Sequence, residues 1–186
     1  YTTVDMDYQQ LAEAAVKRQV SAKRASNNMG NAAAVILRPG TGEILAMVGS
    51  VDYEDESIDG NVNIVTAARQ PGSAMKPFTY ASALEQGWQP GAVLWDTEMH
   101  VESDWGGETY SPENYDLRFH GPVRMRDALA NSYNIPAVQA LRSVGVDYLL
   151  WMMHRVGVES LSDDVSHYGL SLTLGGGELT PLELTN

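Results

Sequence analysis

The chain of 186 residues has no cysteine, which excludes disulfides and thiolate metal sites and fits any compartment, the periplasm included. Basic residues are scarce. Twelve Lys and Arg stand against 24 Asp and Glu, for a net charge of −12, which argues against nucleic acid and anionic membrane surfaces as partners. No run of 18 apolar residues is present, so no segment reads as a span of a bilayer. Tyr1 opens no signal peptide, so the residues are cytosolic or belong to a longer exported or anchored chain. The four histidines, at 100, 120, 154 and 167, have no metal-ligand spacing. No Gly-x-Ser-x-Gly elbow and no Gly-x-x-x-x-Gly-Lys phosphate loop occurs. No metal and no cofactor is expected. What is present is ordinary for a globular protein: 44% hydrophobic and 19% charged residues, enough for one domain with a sizeable core.

Lysine is scarce, with only three, at 17, 23 and 76. Only Lys76 has a serine three before it, in Arg69-Gln-Pro-Gly-Ser73-Ala-Met-Lys76-Pro-Phe-Thr-Tyr80. A Pro-Gly turn delivers Ser73 to the start of an expected helix running to Gly87, with Pro77 in its first turn, where a missing N–H is harmless. Residues at i and i+3 share a helix face, so the Ser73 hydroxyl and the Lys76 amine can point into one space. A serine needs a base to become a nucleophile, and a lysine serves only when burial or nearby positive charge makes it neutral. The bland alternative is a solvent-facing lysine in the first turn of a core helix.

Along the chain, Asp7 with Gln10 resembles a capping box opening a helix whose apolar side is Tyr8, Leu11, Ala15 and Val20. Ser21 to Asn31 reads as a linker or loop. Ala32–Arg38 and Glu43–Val48 flank Pro39-Gly-Thr-Gly42 and form an expected antiparallel hairpin. Asp55-x-Ser57-x-Asp59-Gly60 resembles the start of a calcium loop, but position twelve is Thr66, not glutamate. Residues 88–122 show little periodicity, and a stretch that long is often functional. Val123–Ala130 is an expected short helix. Pro136 is expected to open the next helix as its first residue, and Asp147–Arg155 forms another, with Leu149, Leu150, Met153 and Val156 inward. Gly175-Gly-Gly177 reads as a turn, and Thr180-Pro-Leu-Glu183 as a second capping box.

Ser132-Tyr-Asn134 sits in a tight loop between two helices. Ser132 can relay a proton and Asn134 can hydrogen-bond a substrate amide. Alternatively, both cap the following helix.

Taken together, Pro-Gly-Ser73-Ala-Met-Lys76-Pro-Phe and Ser132-Tyr-Asn134 resemble the transpeptidase domain of class A, bifunctional penicillin-binding proteins. Further segments resemble that family in order: Thr2–Asp7, Pro39–Gly49, Pro112-Glu-Asn-Tyr115, Asn134-Ile-Pro-Ala-Val138 and Leu174–Leu182. The resemblance implies the α/β (α+β) penicillin-binding protein and serine β-lactamase-like fold, an antiparallel sheet flanked by helices, here partial. Residues 1–30 would be an N-terminal strand, helix and linker, and 31–186 the N-terminal part of the transpeptidase domain. It implies that Ser73 attacks the D-Ala-D-Ala bond of peptidoglycan stem peptides, that Lys76 activates it and that Ser132 shuttles the proton. Asn134 would hold substrate and Lys76, and β-lactams would acylate Ser73. The family's third motif, Lys-Thr/Ser-Gly, follows none of the three lysines. The missing C-terminal part of the domain, an upstream glycosyltransferase domain and a membrane anchor are therefore expected in a parent protein on the periplasmic or extracellular face of the bacterial inner membrane. The competing readings are a serine β-lactamase or D,D-carboxypeptidase, and a non-catalytic penicillin-binding sensor or structural half.

Overall fold

The computed structural model describes residues 1–102 and 109–186. In chain order its elements are α1 (Met6–Asn27), β1 (Ala34–Leu37), β2 (Ile44–Val48), α2 (Lys76–Glu85), β3 (Val93–Asp96), β4 (Val101–Glu102), β5 (Thr109–Tyr110), β6 (Gly121–Arg124), α3 (Met125–Ala130), α4 (Asn134–Val144), α5 (Val146–Arg155) and α6 (Pro181–Thr185). Strand pairing among the described residues is antiparallel throughout, in three two-stranded sheets: β1 with β2, β3 with β6, and β4 with β5. The chain divides into two compact units.

The first unit comprises Tyr1–Arg69, Gly157–Ser160 and Glu178–Asn186. Helix α1 starts two residues earlier than the Asp7 box predicts. Asp5 is the cap, its side chain accepting from the N–H groups of Asp7 and Tyr8. The helix also runs through Ser21–Asn27, where a linker was expected, because Ala, Lys and Arg sustain a helix whose surface is solvated. Its buried face is Ala12, Val16 and Val20, spaced four apart, while Tyr8 and Leu11 are exposed. Ala12 and Val16 pack on Ala46 and Val48 of the hairpin. Gln9 closes the outer edge of β2, its side chain accepting from Met47 N–H at 2.9 Å and donating to Met47 C=O at 3.2 Å. The capping box expected at Thr180 is present. The Glu183 carboxylate accepts from Thr180, Ser160 and Glu159. Burial works to raise its pKa, and these hydrogen bonds outweigh burial and hold it at about 2. In the acidic loop, Asp55 accepts from the N–H and hydroxyl of Ser57, and among the described residues no cluster of three His, Asp or Glu is poised for a metal.

The second unit, Gln70–Val156 and Leu161–Gly177, is built around α4. Ile135, Pro136, Ala137, Val138, Ala140, Leu141 and Val144 are all buried, so this helix is covered on most of its circumference. It starts at Asn134, two residues before the expected Pro136. Pro136 is the third helical residue, where its missing N–H still has no intrahelical partner to lose. Helices α2 and α5, strand β3 and a 3-10 turn at Leu170–Leu174 pack around it. The non-periodic stretch 88–122 contains β3, half of β6 and, among its described residues, the β4–β5 pair. Strands of two to four residues are too short to show alternation in sequence. Strand β3 does alternate, with Val93 and Trp95 outward and Leu94 and Asp96 buried. Gln139 closes its edge as Gln9 does for β2, bonding both N–H and C=O of Trp95.

Candidate active site

All four sequence-nominated residues lie in the second unit. Ser73 sits in a 3-10 turn, Gly72–Met75, that leads into α2, and its carbonyl accepts from the Lys76 N–H. Residues three apart eclipse one another in such a turn, so Ser73 and Lys76 leave the backbone on the same side. Ser73 is exposed, and its hydroxyl makes no hydrogen bond with any described residue. Met75, by contrast, is wholly buried and pins the turn. Lys76, the first residue of α2, is 0% exposed, which excludes the solvent-facing lysine.

The Lys76 amine makes three contacts: 2.5 Å to the Ser132 carbonyl, 3.1 Å to the Ser132 hydroxyl and 2.6 Å to Asn134 Oδ1. No described carboxylate pairs with it, and burial lowers its pKa from 10.5 to about 8. A neutral amine has two N–H donors and one lone pair. The Ser132 carbonyl and Asn134 Oδ1 can only accept, so they take the two donors. The Ser132 hydroxyl, which accepts from the amine at 3.1 Å, is the one of the three partners able both to accept and to donate. Once protonated, Lys76 donates to all three, so the Ser132 hydroxyl is placed to take a proton from it without any rearrangement of heavy atoms.

The loop that supplies these partners is the end of α3. Tyr133 N–H bonds the Ala128 carbonyl and Ser132 N–H the Leu129 carbonyl, both at 3.0 Å, the pattern of a Schellman motif. Ser132 occupies the left-handed position of that motif, with φ 56°, where glycine is usual. Neither Ser132 nor Asn134 caps α4. The cap residue is Tyr133, and it makes no side-chain cap bond. The capping alternative is thus excluded, and both side chains are spent on Lys76. Asn134 is fixed from behind: its Nδ2 donates to the Glu113 carbonyl at 2.6 Å and its N–H to Asn114 Oδ1 at 2.8 Å. The sequence pattern assigns no role to Glu113 and Asn114, although both lie in the family-like segment Pro112-Glu-Asn-Tyr115.

A family model for the penicillin binding protein transpeptidase domain matches residues 32–176. The chain belongs to the penicillin-binding protein transpeptidase family. Penicillin-binding protein 1C of Escherichia coli (strain K12) is 39% identical over 130 residues, 69% of this chain and 16% of that protein. The crystal structure of penicillin-binding protein 1A from Haemophilus influenzae superposes with a TM-score of 0.72 at 34% identity, over 83% of this chain and 22% of that one. PonA1 of Mycobacterium tuberculosis, solved in complex with penicillin V, superposes with a TM-score of 0.79 over 98% of this chain and 48% of that one. At 21% identity this likeness is one of fold. The α/β fold expected from the motifs is thus the fold observed. The chain spans between 16% and 26% of the length of the curated relatives it matches. No helix of the described residues is long and apolar enough to cross a membrane.

Proposed function

We propose that this chain carries the acylation machinery of a serine D,D-transpeptidase acting on peptidoglycan stem peptides. The observation that supports it best is the buried Lys76 amine, held by Ser132 and Asn134 with no described carboxylate paired to it. Neutral Lys76 takes the Ser73 proton as the Ser73 oxygen attacks the carbonyl of the penultimate D-alanine. The proton reaches the leaving D-alanine amine through the Ser132 hydroxyl, and an ester joins Ser73 to the peptide. An amine from a neighbouring stem peptide then displaces Ser73 and forms the cross-link. Asn134 orients Lys76 and, with its amide, the substrate peptide, and the Ser73 N–H supplies one oxyanion donor. The parent protein would add the strand bearing Lys-Thr/Ser-Gly, a glycosyltransferase domain and an anchor holding the domain outside the inner membrane.

Labelled penicillin should acylate the full-length protein at Ser73, as read by mass spectrometry of the adduct peptide. An adduct mapped to any other residue would sink the assignment. Hydrolytic turnover that outpaces transfer to an added amine would favour the carboxypeptidase or β-lactamase reading instead.

A second expectation concerns Ser132. Ser132→Gly should relieve left-handed backbone strain and raise stability by about 1 kcal/mol. The same change removes the hydroxyl relay and should slow acylation by about a hundredfold. Thermal melting and penicillin labelling of one preparation separate the two effects. Unchanged labelling would remove Ser132 from the proton path.

A further inference from the structure

Behind the Lys76 site lies a second polar layer. Asp96 is 0% exposed and Asn114 3% exposed. Asn114 Nδ2 donates to both carboxylate oxygens of Asp96 at 2.8 Å, and to the Arg118 carbonyl at 2.8 Å. Asp96 also accepts from His120, from its N–H at 3.0 Å and at 2.5 Å from ring Nδ1. The other His120 ring nitrogen faces Asp116 at 3.2 Å, and the ring stacks on Tyr133 at 4.0 Å. Among the described residues, the buried Tyr80 hydroxyl also feels that carboxylate.

A carboxylate can only accept. Facing Asp96, the Asn114 amide must present its NH2 to it, which turns its oxygen toward Asn134 N–H. The reverse orientation would set an amide NH2 against an N–H, donor against donor, in a buried site. Asn134 N–H is one of the unpartnered donors at the start of α4, and Asn114 is what satisfies it. The neighbouring Glu113 carbonyl then fixes Asn134 Nδ2, which leaves Asn134 Oδ1 facing Lys76.

We propose that Asp96 and Asn114 are positioning residues for the Lys76 amine, acting as a carboxylate-to-amide relay that sets the register of Asn134. His120 completes the relay by holding Asp96 and, through its stack on Tyr133, the middle of the Ser132-Tyr133-Asn134 loop. The inference rests on Lys76 being the base, and it assigns a task to two residues that touch neither substrate nor Lys76.

The test measures penicillin acylation against pH in the full-length protein, per mole of folded protein, for Asp96→Asn, Asn114→Leu, the double variant and Lys76→Arg. Each single variant is expected to slow plateau acylation by roughly ten- to a hundredfold, the scale of a small misplacement at a reacting centre. The rising limb of the profile should also move to lower pH by about half a unit or more, because a misplaced Asn134 oxygen no longer favours the ammonium. The double variant should be no slower than Asn114→Leu alone, since Asp96 acts through Asn114. Wild-type rates in the singles, additive losses in the double, or slow singles with an unmoved limb would each overturn the relay. If Asn114→Leu fails to fold, the limb of the near-isosteric Asp96→Asn decides by itself. Wild-type acylation by Lys76→Arg would instead overturn the base assignment, whatever the relay variants do.

Discussion

Lys76→Arg is expected to lose acylation by penicillin by about a thousandfold, the range in which a positioned general base contributes. Arginine preserves the positive charge and can still donate to the Ser132 carbonyl and Asn134 Oδ1, but it cannot be deprotonated in a protein. The wild-type rate should depend on pH in a way the variant's does not. Burial holds the Lys76 pKa at about 8, so the neutral, reactive fraction falls about tenfold per unit below that value and is nearly complete one unit above it. The stability consequence has the opposite sense from that of an ordinary ion pair. The folded pKa of about 8 lies below the unfolded 10.5, so between these values the unfolded chain binds the extra proton. The Lys76 contribution to stability therefore rises with pH across that window and is least favourable below pH 8, where the folded protein must bury an ammonium. Rate against pH and denaturant unfolding at pH 7, 8 and 9 check both signs. Acylation by the arginine variant near the wild-type rate would show that another group activates Ser73.

The candidate site was more legible in the sequence than the framework that holds it. Ser73 and Lys76 announce themselves because a three-residue spacing survives whether the turn is α or 3-10. Ser132 and Asn134 are legible because a short loop leaves their side chains few directions, and the structure brings both within hydrogen-bond distance of Lys76. Asp96 and Asn114 were missed for a physical reason. The bonds that join them to each other, to Asn134 and to His120 span 18 to 24 residues, across strands too short to announce themselves by alternation. The usable signal was Asp96 itself, a carboxylate two residues after Leu94, on the buried side of a four-residue strand. Polarity misled at Ser21–Asn27, where a solvated helix and a loop have the same composition. The cap expected at Asp7 falls instead at Asp5, whose side chain accepts from the N–H groups of Asp7 and Tyr8.

Gly175→Ala is expected to damage the nucleophile turn more severely than any surface substitution. The Gly-Gly-Gly run reads from sequence as a turn before a cap, yet Gly175 does more than turn. A Cβ on Gly175 would lie 2.2 Å from Gly72 N, 2.5 Å from Gly72 Cα and 3.0 Å from Gly72 O, against the backbone of the residue before Ser73. No flexible side chain is available to yield. The segment on either side is held as well, since the hydroxyls of Thr79 on α2 and Thr173, both fully buried, bond at 2.8 Å. Gly175 also has φ +92°, which adds backbone strain for any side chain. Strain and overpacking together should cost roughly 3 kcal/mol or more. A displaced Ser73 should acylate about a hundredfold more slowly in the protein that remains folded. Gly87→Ala is the matched control. Its φ of +90° is nearly the same, but a Cβ there meets nothing within 4 Å. It should show only the strain, about 1 kcal/mol, with unchanged labelling. Denaturant unfolding and penicillin labelling of the two variants side by side separate backbone strain from close approach. Equal behaviour of the two would mean that the contact between Gly175 and Gly72 does not hold Ser73 in place.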